Sequence, residues 1–117
     1  MENVFTHTFH IPGTLAANVI PVVSIPFDCS LVHVSAVASN TNDATLKVGS
    51  TLDDDAFVSA FAIGDGNVPV VKSRKDFVEG QYPHLPAGTN LMLTLDYDGA
   101  GGTAAQNVTI VLTFTKG

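Results

Sequence analysis

Across residues 90–115 apolar and polar positions alternate in two runs. Leu91, Leu93, Leu95 and Tyr97 share one parity of the first run, and Val108, Ile110, Leu112 and Phe114 share one parity of the second. Successive side chains of a strand point to opposite faces, so each run predicts a strand with one buried face. The glycine-rich stretch 98–106 between them predicts a hairpin.

The same period runs upstream. Residues 3–11 place Phe5, His7, Phe9 and Ile11 opposite Val4, Thr6, Thr8 and His10, and Pro12-Gly13 ends the run. Residues 19–25 contain Pro21, which cannot donate to a ladder, so they predict an edge strand, a bulged strand or two short pieces. In residues 31–38, Val32, Val34, Ala36 and Ala38 face one way and Leu31, His33, Ser35 and Val37 the other. A turn at 40–43 leads to a short strand at 44–48, and 51–55 reads as an acidic loop. Residues 56–63 set Phe57, Phe61 and Ile63 against Val58, Ala60 and Ala62. A turn at 64–67 and a short run at 68–72 follow, then one helical turn within 73–80 and a proline-fixed crossover at 82–88.

About eight short strands separated by turn signals, with no helical period, predict an all-β fold. The expected architecture is a two-sheet antiparallel sandwich, jelly-roll-like, with 50–55 and 73–89 crossing between the sheets. Residues 1–117 form one β-sandwich domain, of which 1–5 are a candidate contact arm. Val19, Ile20, Val22, Val23 and Ile25 cannot all face one core, nor can Ile110, Val111 and Leu112. Such runs mean either a second cover, from another subunit or a larger lattice, or a few exposed valines.

Composition narrows the function classes. Apolar residues make up 45% of the chain and charged residues only 14%, against roughly 25% charged in ordinary soluble domains. With a mean hydropathy of +0.29, part of the outer surface is expected to be apolar or covered. The net charge of −6 leaves no basic footprint for phosphates, so no nucleic-acid partner is expected. The one basic cluster, Lys72, Arg74 and Lys75, is flanked by Asp76 and Glu79 and reads as a solvated turn. A single cysteine, Cys29, cannot form an intrachain disulfide, which suits folding in a reducing cytoplasm. The first residues lack the pattern of a signal peptide, and no apolar stretch is long enough to span a membrane.

Candidate chemistry is sparse. Asp96-Tyr97-Asp98-Gly99 opens like a calcium loop and would need Asp53, Asp54 and Asp55 to complete it, since 99–105 supply no carboxylate. Turn formation by Asp98-Gly99 is the simpler reading. His7 and His10 are three apart on a strand, hence on opposite faces; His33 and His84 stand alone, and no metal site is expected. His7, on the face of Phe5 and Phe9, is the histidine expected to be partly buried or at an interface. Cys29 lies beside Asp28, whose charge opposes a thiolate. There is no nucleophile elbow, no phosphate-binding glycine loop and no assignable pair of catalytic acids, so no catalytic or cofactor-binding residues and no cofactor are expected. Asn107-Val108-Thr109 matches a glycosylation sequon inside a strand.

Several segments carry a resemblance: 5–13, with Phe5-Thr-His-Thr-Phe-His-Ile-Pro-Gly13; 25–39, which opens Ile25-Pro-Phe-Asp28; and 42–49, 62–65 and 83–89. On these the whole chain resembles small all-β virion proteins of tailed bacteriophages, and most of all capsid decoration, or cement, proteins. The resemblance implies a non-enzymatic role on the outer surface of the phage capsid. The partners would be the major capsid protein lattice and the chain itself as a homotrimer, with synthesis in the host cytoplasm. Residues 1–5 and the 73–89 loop would reach neighbours. The rival readings are a receptor- or carbohydrate-binding tail module and a head–tail completion component. A sugar platform is poorly served by a chain with no tryptophan and only Tyr82 and Tyr97.

Overall fold

The computed structural model describes residues 4–116. Nine strands form two antiparallel sheets: β1 (Val4–Thr14), β2 (Val22–Ser24), β3 (Cys29–Val37), β4 (Thr45–Ser50), β5 (Asp53–Ala62), β6 (Val70–Lys72), β7 (His84–Leu85), β8 (Asn90–Asp96) and β9 (Gln106–Lys116). The larger sheet runs β1-β9-β3-β6, with β7 also paired to β3; the smaller runs β2-β8-β4-β5. Every connection crosses from one sheet to the other except β4–β5 and β6–β7. The result is the two-sheet antiparallel sandwich that the alternation and turn signals predicted.

The core lies between the sheets. β9 contributes Val108, Ile110, Leu112 and Phe114, and β8 contributes Leu91, Leu93 and Leu95, all buried. These are the rows expected from the alternation. The expected hairpin, however, is not formed. β8 pairs with β4 and β2, whereas β9 lies in the opposite sheet between β1 and β3. The two leucine-rich rows therefore face each other across the core instead of lying side by side.

Two bulges account for the other departures. Leu31 pairs with Phe114 and His33 with Thr113, so Val32 is the extra residue on β3. Leu31 and Val34 thus both turn inward, where strict alternation had set them on opposite faces. On β5, Val58 pairs with Val48 and Phe61 with Leu46, which inserts one residue between the pairs. Val58 consequently joins Phe61 and Ile63 in the core, instead of opposing them.

Residues 50–55 are a tight turn within the smaller sheet, not a crossing, and Asp53, Asp54 and Asp55 open strand β5. Residues 19–25 make two short pieces around Pro21, a lone bridge from Val19 to Leu95 and then β2 at the sheet edge. Ile20 and Val22 are exposed on the chain itself, while Ile25 is buried, so the apolar side chains of this run point both into the core and outward. The helical turn expected in 73–80 is a pair of 3-10 turns, Arg74–Asp76 and Val78–Gly80. Asp76 caps the first by accepting the Ser73 N–H at 3.0 Å. Of the candidate arm, residues 1–3 lie outside the described residues, while Val4 and Phe5 belong to β1, opposite Thr115 and Phe114.

Candidate interaction surfaces

The sequence-predicted chemical groups are scattered by the fold. Asp96 ends β8 opposite Thr45, whereas Asp53 pairs with Ser50, which lies opposite Leu91. The two halves of the candidate calcium loop thus sit at opposite ends of the smaller sheet. Asp96 accepts the Asp98 N–H at 3.0 Å, the local turn that the Asp-Gly pair suggested.

Asp53, Asp54 and Asp55 have carboxylates within 4.8 Å of one another, and Lys47 Nζ pairs with Asp54 at 3.0 Å. A side-chain hydrogen bond with Asp53, then the charge of that neighbour, pushes the Asp55 carboxyl above its ordinary value of 3.8. In the window above 3.8 the folded chain retains a proton that the unfolded chain releases, so this group makes stability fall as pH rises. Asp55→Asn is expected to raise the melting temperature slightly at neutral pH and to leave it unchanged in acid well below pH 3.8. Thermal melts of both proteins across that range check the sign.

The histidines occupy four different settings. His7 is exposed on β1 with its ring edge-on to Phe9 at 4.6 Å. His10, on the opposite face, shares a 2.9 Å hydrogen bond between Nδ1 and Thr109 Oγ1. His33 sits at the β3 bulge, and His84 lies on β7 opposite Ser30. Cys29 is fully buried at the start of β3, and burial, with a smaller contribution from the Asp28 charge, pushes its thiol up. The protonated, enclosed sulfur is a packing group.

Two residues of the basic cluster stand over aromatic rings. Lys72 Nζ lies 4.9 Å from the centre of the Phe61 ring, and Arg74 stands 5.9 Å from that of Tyr82. Asn107 has a φ of 50° where the β1–β9 register shifts, between Ile11 and Thr14. Its side chain accepts the Gly13 N–H at 2.8 Å and donates to Ser39 Oγ at 3.0 Å, so the sequon asparagine ties three segments together.

Two surfaces stand out that residue-by-residue motif reading missed. The outer face of the larger sheet carries no Asp, Glu, Lys or Arg along β1, β3 or residues 106–115. Its rows run Thr6–Thr113–His33, Thr8–Val111–Ser35 and His10–Thr109–Val37 from strand to strand. The second surface is one end of the sandwich, where two adjoining hollows of about 350 and 370 Å³ share Phe57 and His84. Leu52, 96% exposed at the β4–β5 turn, stands there with half-exposed Val78 and Tyr82. The charge gap was visible in the sequence as three stretches, β1, β3 and residues 106–115, without an ionisable group other than histidine and cysteine. The end patch needed the fold, because its residues come from separate loops.

No protein-family model matches the chain, and neither does any curated protein. Among solved structures, a chain of the capsid asymmetric unit of cyanophage Pam1 superposes with a TM-score of 0.58 at 15% sequence identity. The match covers 99% of this chain and 86% of that one. The likeness is therefore one of fold, and it extends over the whole sandwich.

Proposed function

We propose that the chain is a non-enzymatic structural protein of a phage virion that decorates and stabilises the outer surface of the capsid. The observation that carries this reading is the end-to-end fold likeness to a chain of the cyanophage capsid unit. The surfaces support it. A structural subunit works through contact area, and among the described residues this chain shows a charge-free sheet face and an end with exposed Leu52, Val78 and Tyr82, instead of a convergent group of reactive side chains. The 73–89 segment, expected to reach a neighbour, presents Val78 and Tyr82 beside Leu52 at that end. The partners in this reading are the major capsid protein lattice and further copies of the chain, as a homotrimer.

Co-sedimentation with undecorated heads of the parent phage, before and after expansion, tests it. Saturable binding to expanded shells, at a copy number commensurate with their capsomers, is the expected outcome. Failure to bind either form would overturn the decoration role and favour a tail-associated one.

A further inference from the structure

β1 is the outer strand of the larger sheet and eleven residues long. From Val4 to Ile11 its register with β9 runs without a shift. Among the described residues, no other strand or loop is hydrogen-bonded to its outer side. Every second N–H and C=O along this stretch therefore points outward, unpaired by the protein. Natural edges are normally blunted by shortness, proline, a bulge or a charge. The other edges follow that rule. β2 and β6 have three residues each, and β5 is broken by register shifts and headed by three aspartates. On β1, proline and bulge come only after Ile11, and no charged residue occurs from Val4 to Thr14.

A second observation lies beside the same edge. Where β1 and β2 fail to meet, an apolar cleft of about 260 Å³ opens between the sheets. Its walls include Phe5, Val23, Ile25, Leu91, Leu112 and Phe114, four of them core residues. A strand added to β1 would carry the larger sheet over this opening.

The pattern of that strand can be read from the one β1 already accepts. β9 presents Val108, Ile110, Leu112 and Phe114 inward and Thr109, Thr113 and Thr115 outward. β1 has a similar design, with Phe5, Phe9 and Ile11 on the inner row, interrupted by His7 at the cleft, and Val4, Thr6, Thr8 and His10 on the outer. Charge points the same way. Each copy carries −6, and β1 brings no Asp, Glu, Lys or Arg to the contact, so pairing along it sets no like charges directly opposite one another. We propose that β1 pairs antiparallel with β1 of a second copy across a two-fold axis. The pairing fuses two larger sheets into one and covers both clefts. It does not rest on the virion reading.

Sedimentation equilibrium of the full chain tests the contact, with a Thr6→Lys, Thr8→Lys double variant as the comparison. Both threonines are exposed on the outer row, so lysines there reach water within one copy but face like charges across the seam. The expected wild-type mass is an even number of copies, a dimer or, if trimers form as well, six. The variant should halve it with unchanged circular dichroism and melting temperature. A wild-type monomer or trimer at every accessible concentration, or an even mass that the variant leaves intact, would overturn the proposal. If the variant fails to fold, hydrogen exchange on the wild type decides. Outward amides of Val4–Ile11 that gain protection as concentration rises support the pairing, and amides that exchange freely throughout sink it.

Discussion

Gly64→Ala is expected to destabilise the chain by about 3 kcal/mol, a fall in Tm of roughly 10 °C or more. Gly64 is buried where the chain leaves β5, and a Cβ there would lie inside the van der Waals radius of the Val68 carbonyl oxygen. The obstacle is main chain, so no rotamer change relieves it. Gly64 also joins the two sheets. Its N–H donates to the Ala36 carbonyl at 3.0 Å, its carbonyl accepts the Ala38 N–H at 2.9 Å, and Val37 bridges to it in parallel. Displacing it strains the far end of β3 and the turn into β6 together. Urea titration of both proteins checks this, and an unshifted midpoint would mean that residues 65–68 yield freely.

Phe114→Ala carries an expected loss of about 3–4 kcal/mol, a large share of a typical total of roughly 5–15 kcal/mol. The Phe114 ring is 2% exposed and stacks on Phe5 with centroids 4.9 Å apart and planes at 16°. Phe5 in turn meets Phe27 edge-on at 5.2 Å. Truncation therefore removes the inner member of an aromatic chain that fastens β1 to the core. Because Phe114 also lines the cleft, water can enter the vacated space, which holds the cost toward the lower part of the range for buried phenylalanines. The loss should be unevenly spread, with amide exchange accelerating in β1 more than in β3 or β4. A uniform acceleration would show that Phe114 supports the whole sandwich equally.

The faces of the strands were legible in the sequence, whereas their neighbours were not. Leu91, Leu93 and Leu95, and the row from Val108 to Phe114, were assigned inward from alternation alone and lie inward. Alternation says which side of a strand is buried but is silent on which strand lies beside it. Between β8 and β9, nine residues intervene, more than the two to five usual for a hairpin, and that length was the available signal. Bulges hide from the same reasoning. At Val32, and again between Val58 and Phe61, one extra residue inverts the parity of everything beyond it, with no glycine or proline to announce it. The surfaces were half legible. Missing charges along three strands could be counted, but the cleft beside β1 and the patch around Leu52 depend on which edges and loops the topology brings together.

The position of β9 has a consequence for how the chain comes into being. β9, which follows the other described strands in the chain, is the second strand of the larger sheet, and it supplies β1 with its entire ladder and β3 with most of its own. Until Gln106–Lys116 has left the ribosome, the eleven residues of β1 have no partner in their own chain, and β3 has only the short β6 and β7. Pairing of β1 must wait for β9 to emerge and then close a loop spanning most of the described residues, which belongs to the slower class of folding reactions. Throughout that wait the charge-free edge of β1 is open on both sides. Neighbouring nascent chains on one message are then the strands most readily available to it.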